Sequence, residues 1–109
     1  MLVMISFEKF KKLYNSFSGE VEFEVCFNNT ADTYMIIKYP NEVSFQKCCD
    51  KEHRGEKICK SLDELHNSTL HDNICLKRDW NYISDIIIDA TWSVVDDKDE
   101  IKRIFNITL

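Results

Sequence analysis

The chain has 109 residues, of which 44% are hydrophobic and 30% are charged, and its formal net charge is −5. This length predicts one domain spanning residues 1–109, with enough aromatic residues for a core that needs no disulfide or metal. The acidic balance argues against direct nucleic-acid binding, because phosphate contacts need concentrated Lys and Arg. It favours a protein partner with a basic surface instead.

The sequence carries no recognisable signal for secretion or membrane insertion. Residues 1–10 lack the basic segment and the sustained apolar segment of a signal peptide. The longest aliphatic run, Ile86–Ile88, is far too short to cross a bilayer. Five cysteines are an odd number, which argues against a closed disulfide framework. These features predict a cytoplasmic protein with no membrane partner.

The first half of the chain predicts one helix followed by three antiparallel strands. Ser6 can cap a helix from Phe7 to about Phe17, which carries an apolar stripe at helical spacing. Strands are expected at Glu20–Phe27, Thr33–Tyr39 and Glu42–Lys47, joined by short turns. The second of these is nearly continuous in apolar residues. We therefore expect it to lie at the centre of the sheet, covered on both faces.

The second half predicts mainly helices, after a polar loop at residues 48–57. Ile58 and Cys59 can form a short strand, and Ser61 and Glu64 form a capping box that begins a short helix. A further helix is expected at about Lys77–Ile87, with Trp80, Ile83 and Ile87 on one face. Asp89–Val95 can form a fourth strand, and Asp96 or Asp97 can cap a last helix.

Together these elements predict an α+β fold. The sheet should have three to four mainly antiparallel strands, with helices packed on one of its faces. Two aromatic residues, Phe23 and Trp80, are expected in the core. The predicted elements by themselves do not define a function, because many unrelated activities occur on folds of this class.

One stretch of the second half resembles small uncharacterised open reading frames of Firmicutes phages and other mobile elements. The pattern is a helix start followed by a polar loop and a second apolar segment. The matching residues are Ser61, Glu64, Leu65, Ile74, Leu76, Lys77, Trp80 and Ile83. The resemblance covers about a quarter of the chain, and it implies a genomic setting rich in defence inhibitors and toxin–antidote proteins.

Two groups of carboxylates are candidates for binding a protein partner. Glu20, Glu22 and Glu24 alternate with apolar residues along a predicted strand, so they should project from one face at intervals of about 6.5–7 Å. This spacing is compatible with mimicry of nucleic-acid phosphates, and also with an ordinary solvated sheet face. The second group is Asp96, Asp97, Asp99 and Glu100, for which capping of the last helix and complementation of its dipole is the favoured role.

A zinc site is an alternative reading of the polar loop. Cys48, Cys49, His53 and Cys59 provide four possible ligands of the type that tetrahedral zinc prefers. Their spacing lacks the Cys-x-x-Cys pair of common zinc sites, so we expect neither a metal nor another cofactor.

Catalysis has weaker support in the sequence. Cys59, His66 and Asp79 could in principle act as nucleophile, base and orienting group. No glycine loop or nucleophile elbow accompanies them, and the known hydrolase and nucleotide-binding motifs are absent from the sequence. We therefore expect a protein that is not an enzyme.

The function predicted from these observations is stoichiometric inhibition of a bacterial nucleic-acid-handling defence protein, as anti-CRISPR proteins do. An immunity protein that neutralises a nuclease toxin is the main alternative, because it would also be small, acidic and non-catalytic. A structural phage protein that associates with copies of itself, for example as a homodimer, is a further alternative.

Overall fold

The fold combines helices with an antiparallel sheet, which confirms the predicted α+β class. The computed structural model describes residues 6–48, 56–89 and 93–94. The α-helices are α1 (Phe7–Ser16), α2 (Leu62–His66) and α3 (Leu76–Asp79). The strands are β1 (Ser18–Gly19), β2 (Val21–Phe27), β3 (Thr33–Lys38), β4 (Val43–Lys47), β5 (Lys57–Cys59), β6 (Ile83–Asp89) and β7 (Ser93–Val94). Short 3-10 turns at His71–Asn73 and Trp80–Tyr82 flank α3.

Five strands form the main sheet in the order β5-β4-β3-β2-β6, and each neighbouring pair is antiparallel. Strand β3 is central, as its apolar sequence predicts, and Ile36 and Ile37 are buried on its two opposite faces. The sheet is wider than the predicted three to four strands because it includes both β5 and β6. Strands β1 and β7 pair separately with each other.

Helix α1 begins at the predicted residue, and a side chain distant in sequence binds the carbonyls at its end. The Ser6 hydroxyl accepts a hydrogen bond from the backbone N–H of Lys9 at 3.1 Å, which satisfies an amide of the first turn. At the other end, the Lys38 ammonium group donates to the carbonyls of Tyr14 at 2.8 Å and Phe17 at 2.5 Å. The Tyr14 carbonyl also accepts the backbone N–H of Phe17 at 3.4 Å. A lysine of β3 therefore adds a charged donor to the carbonyls at the end of the helix.

Helix α2 begins with the predicted capping residues. The backbone N–H of Glu64 donates to the Ser61 hydroxyl at 3.1 Å. The Glu64 carboxylate accepts from the amide of Lys60 at 3.3 Å, one residue before the cap. In the usual capping box the carboxylate bonds the amide of the cap residue itself, so the arrangement here is a close variant.

All three α-helices contribute to one hydrophobic cluster on one face of the sheet, as predicted. The cluster is closely packed around Phe10 of α1. The Phe10 ring centroid lies 5.1 Å from that of Phe23 on β2 and 5.3 Å from that of Trp80. Phe23 is fully buried and Trp80 is 8% exposed, which confirms the predicted burial of both residues. We call this side of the sheet the helix face.

The predicted helix at Lys77–Ile87 is wrong. The helix ends at Asp79, a 3-10 turn follows, and residues Ile83–Asp89 form strand β6. The strand pairs Phe27 with Ile83 and Val25 with Ile86, so an extra residue at Ser84 creates a bulge. The bulge spaces the first two inward isoleucines three residues apart, and this spacing imitates a helix. Ile87 lies on the opposite face and is 44% exposed, so it is not buried with Trp80 as predicted.

The remaining predictions for the end of the chain are partly tested. The predicted strand Asp89–Val95 corresponds to the last residue of β6 and to β7, and its residues 90–92 and 95 lie outside the described ranges. The predicted last helix also lies outside them. Among the helices that the structure describes, none is long and apolar enough to cross a membrane.

Candidate functional site

Strand β2 places the predicted row of glutamates on the sheet face opposite the helices. Along this strand, buried apolar residues alternate with half-buried Glu22, Glu24 and Cys26. Glu20 directly precedes the strand and is also half-buried. The alternation arises because successive side chains of a strand point to opposite faces. The predicted projection of Glu22 and Glu24 from one face is therefore confirmed.

Strand β6 adds two carboxylates that the sequence analysis missed. In the register between β2 and β6, Asp89 lies opposite Glu22 and Asp85 lies opposite Cys26. Residues directly opposite each other in an antiparallel pair project from the same face. Asp85 and Asp89 therefore join Glu22 and Glu24 on one surface, although they are about 60 residues away in sequence.

We call this surface the acidic face. Its strand positions are Glu22, Glu24, Cys26, Thr33, Met35, Ile37, Ser44, Gln46, Ile58, Asp85, Ile87 and Asp89. None of these positions is Lys or Arg. The lysines of the described sheet, Lys38, Lys47 and Lys57, all lie on the helix face. The two faces of the sheet are thus strongly different in charge, and the acidic face presents a negative potential.

The pairing of Glu22 with Asp89 has a measurable electrostatic consequence. Burial, together with the charges of Asp89 and Glu20, raises the pKa of Glu22 above its ordinary value. Like charges directly opposite each other in a sheet are unfavourable. The register therefore concentrates negative charge at this position of the sheet.

Exposure varies along the acidic face. Ile37 and Ser44 are buried, so the part near the middle of β3 and β4 is covered. Near β6, Ile87 is 44% exposed, and it lies opposite Glu24. Ile58 of β5, at the other end of the sheet, is 52% exposed. The most exposed apolar positions of the acidic face therefore lie on its two outer strands, and its carboxylates lie on β2 and β6.

A polar cleft of about 410 Å³ lies on the helix face of the sheet. It is found where strands β3 and β4 meet the 3-10 turn at His71–Asn73. The Lys47 ammonium group lies 3.1 Å from the Asp72 carboxylate and 3.3 Å from that of Asp32. The buried Tyr34 hydroxyl donates to the Asp72 carboxylate at 2.6 Å. This hydrogen bond and the contact with Lys47 hold the pKa of Asp72 below its ordinary value.

The charged groups of this cleft are paired with one another. The Arg78 guanidinium donates to both carboxylate oxygens of Asp79, each at 2.8 Å, and Asp79 also accepts the amide of Cys75 at 3.0 Å. Asp72 and Asn73 have positive φ angles of 57° and 60°, a conformation that Asp and Asn adopt more readily than other non-glycine residues. The ion pairs and hydrogen bonds of the cleft residues therefore hold the 3-10 turn and α3 against the sheet. Because these charged groups neutralise one another, little net charge remains to attract a ligand.

The structure describes two residues of the alternative zinc set, Cys48 and Cys59, and it places them apart. Cys59 pairs with Val43 at the start of β4, whereas Cys48 follows the end of that strand. From four strand rises, the two cysteines are separated by more than about 13 Å, although sulfurs sharing one zinc lie within about 4 Å. Cys49 and His53 lie outside the described residues. Residues 6–48, 56–89 and 93–94 contain no group of three or more His, Cys, Asp or Glu placed to hold a metal ion.

The residues considered for catalysis each have other contacts. The Cys59 sulfur is buried and lies 4.0 Å from the Ser68 hydroxyl. The His66 ring stacks on Phe7, with ring centroids 3.6 Å apart. The Asp79 carboxylate is bound to Arg78 and to the amide of Cys75. These contacts are those of residues that stabilise the fold, and they do not form a nucleophile–base–acid chain.

The second predicted group of carboxylates, Asp96, Asp97, Asp99 and Glu100, lies outside the described residues. Comparisons of the chain with protein-family models, curated proteins and solved structures found no match. A function for this protein therefore has to be argued from its surfaces, and the acidic face is the surface with the clearest chemical character.

Proposed function

We propose that this chain binds a basic surface of another protein through its acidic face and thereby acts as a stoichiometric inhibitor. The target in this proposal is a bacterial protein that handles nucleic acids in defence, as for anti-CRISPR proteins. The proposal includes no catalytic step, and it places the protein in the cytoplasm, where such targets act.

The observation that supports the proposal is the segregation of charge across the sheet. Glu22 and Glu24 form one row, and Asp85 and Asp89 form a second row on the neighbouring strand. Carboxylates two residues apart in a strand are separated by about 6.5–7 Å, and neighbouring strands by about 4.7–4.9 Å. A rigid sheet therefore presents two rows of negative charge to a groove that normally binds phosphates.

The energetic cost of this arrangement also supports a binding role. Glu22 and Asp89 face each other at directly opposed positions, where a neutral or basic residue would give a more stable sheet. Stabilising substitutions often reduce function where function needs a destabilised site. In a complex, a Lys or Arg of the partner would convert this repulsion into attraction.

The proposal is tested by removing charge from the acidic face without changing its shape. The variant Glu22→Gln/Glu24→Gln is compared with Glu8→Gln/Glu42→Gln, which removes the same charge from exposed positions in α1 and in the loop after β3. The wild-type protein is first used to isolate its partner from the native host. Association rates of all three proteins with that partner are then measured at low and high salt.

We expect the double variant of the acidic face to associate more slowly at low salt, with a difference that shrinks as salt screens the charges. The control variant should associate at a rate close to that of the wild type. Equal rates for all three proteins at low salt would exclude the acidic face as the recognition surface.

A competition experiment tests the class of target. If the partner handles nucleic acids, the wild-type protein should displace a labelled DNA or RNA duplex from it at a ratio of about one to one. A partner that proves to be a nuclease toxin encoded beside this gene would instead support the immunity-protein alternative. Recovery of only the protein itself would support self-association.

A further inference from the structure

An exposed isoleucine lies among three carboxylates of the acidic face. Ile87 of β6 is 44% exposed and lies directly opposite Glu24 of β2. Glu22 lies diagonally across the strand pair from Ile87, and Asp85 is two residues away along β6. Opposed side chains of such a pair are about 4.5–5.5 Å apart at Cβ, and diagonal neighbours are about 7–8 Å apart. A side chain that contacts these carboxylates can therefore also contact Ile87.

The three carboxylates differ from those on the helix side of the sheet in having no cation beside them. On the helix side, Asp63 pairs with Lys11 at 2.7 Å and Asp79 pairs with Arg78 at 2.8 Å. Within residues 6–48, 56–89 and 93–94, no Lys, Arg or His contacts the three carboxylates around the isoleucine. One oxygen of Asp85 is buried and has no hydrogen-bond partner there either. A cationic group of a partner would complement this part of the acidic face.

The isoleucine makes the site suitable for a long cationic side chain. A single exposed apolar residue is common on protein surfaces, so Ile87 by itself indicates nothing. A basic side chain, however, has an apolar stem as well as a charged head. Its stem can pack on Ile87 while its head contacts the carboxylates. One side chain then satisfies the charges and removes apolar surface from water.

Arginine fits this arrangement better than lysine. The planar guanidinium presents five N–H donors in a fixed fork and is more weakly hydrated than an ammonium group. It can therefore donate to two carboxylates at once while lying on an apolar surface. Arg78 of this chain is already bound to Asp79 and to the Asn73 carbonyl. A second copy would have to break these contacts to supply Arg78, which favours a different protein as the source of the arginine.

We propose that an arginine side chain of the partner lies across Ile87, with its guanidinium between Glu24 and Asp85. This inference rests on the proposed function and names the contact through which the partner engages the acidic face. The carboxylates attract and orient the arginine, which acts mainly on the rate of association. Ile87 excludes water from the arginine stem, which acts mainly on the rate of dissociation.

The contact is tested on the full-length protein with the probe peptide acetyl-Gly-Arg-Gly-amide. Matched peptides replace the arginine by lysine or by citrulline, which retains the shape of arginine without its charge. Binding is followed through ¹³C-labelled isoleucine methyl groups in NMR spectra. Ile58 is the internal control, because it is 52% exposed on the same face but lies on β5.

The arginine peptide should shift the methyl resonances of Ile87 and leave those of Ile58 in place. The citrulline peptide should bind about tenfold or more weakly, because its hydrogen bonds to the carboxylates lack the charge. The lysine peptide should bind more weakly than the arginine peptide. An unchanged Ile87 resonance, equal binding of the arginine and citrulline peptides, or tighter binding of the lysine peptide would each overturn the proposal.

Two variants test the same contact in the complex with the partner. Ile87→Thr and Ile58→Thr both retain a β-branched side chain, so both should preserve their strands. We expect the partner to dissociate about tenfold faster from Ile87→Thr and at the wild-type rate from Ile58→Thr. The same dissociation rate for the two variants would contradict an apolar contact at Ile87.

Failure of this inference is distinguishable from failure of the proposed function. The variant Glu22→Gln/Glu24→Gln removes charge and retains Ile87. If it slows association while Ile87→Thr leaves dissociation unchanged, the acidic face binds the partner without the proposed arginine contact. If neither variant changes partner binding, the proposed function fails as well.

Discussion

Glu22 and Asp89 lie directly opposite each other on neighbouring antiparallel strands, and both project onto the acidic face. Their proximity depends on the bulge at Ser84 and on the pairing of two segments that are distant in sequence. Burial raises the pKa of Glu22, and the charges of Asp89 and Glu20 raise it further. The topology of the sheet therefore affects the pKa of Glu22, which can be measured by titration.

Replacing Glu22 by Gln should stabilise the folded protein at neutral pH. Removing one member of a like-charged pair at opposed positions relieves a repulsion of about 0.2–1 kcal/mol. Urea unfolding at pH 7 measures the difference. Glu24→Gln is the matched control, because Glu24 lies opposite the uncharged residues Ile87 and Met35, and it should change stability less.

The stabilisation by Glu22→Gln should depend on pH in a defined direction. Because the pKa of Glu22 is raised in the folded state, the folded protein holds this proton more tightly than the unfolded chain does. The favourable contribution is therefore present at low pH and is lost as the pH rises through the folded-state pKa. The variant should match the wild type at low pH and exceed it at pH 7, and a constant difference would contradict this account.

Replacing Lys38 by Met should destabilise the protein. The change retains most of the side-chain volume but removes the ammonium donor from the Phe17 carbonyl, whereas the Tyr14 carbonyl keeps the amide of Phe17. An unsatisfied half-buried polar group costs about 1–3 kcal/mol. Lys57→Met is the control, since Lys57 is exposed on the same face and should change stability by less than about 0.5 kcal/mol. Equal effects of the two substitutions on the unfolding midpoint would exclude a capping role for Lys38.

Replacing Trp80 by Ala should cost about 3–5 kcal/mol, the usual penalty for emptying a buried aromatic site. Trp80 is 8% exposed and packs against Phe10 and Phe7, with ring centroids 5.3 Å and 5.2 Å away. Tyr82→Ala provides a contrast, because Tyr82 is 46% exposed and belongs to the same 3-10 turn. Thermal unfolding of both variants checks the prediction, and similar melting temperatures would contradict the packing described.

His66 should make stability depend on pH in the mildly acidic range. Burial against Phe7 and Trp80 lowers the pKa of His66 below its ordinary value of 6.5. Below about pH 6.5 the unfolded chain takes up a proton that the folded protein resists, so stability is lost as the pH falls. His66→Phe retains the stacked ring and should reduce this loss. Urea midpoints of the two proteins between pH 5 and 8 would show the difference, and parallel curves would exclude His66 as the cause.

Much of the fold follows from short-range patterns in the sequence. Ser6 and Ser61 cap helices as predicted, because a cap needs only neighbouring backbone amides. The alternation along β2 likewise requires only that apolar and charged residues follow a period of two. Each of these predictions depends on residues within one element, and each is confirmed.

The misassigned strand β6 shows where such patterns are insufficient. Ile83 and Ile86 are three residues apart, which fits one face of a helix, and the run of β-branched residues fits a strand equally well. Pairing with β2, including the bulge at Ser84, decides between the two. The three consecutive isoleucines Ile86–Ile88 are β-branched and stand between two aspartates, and this composition could have indicated the strand.

By itself, the sequence determined the class of the fold, the helix caps and the row of glutamates on β2, because these depend on contacts within a few residues along the chain. Tertiary structure alone decided that Asp85 and Asp89 join that row, that the lysines of the sheet lie on the other face, and that Lys38 caps α1. The physical reason is that strand register and cross-strand pairing depend on the packing of the whole sheet against its helices, and no local pattern specifies them.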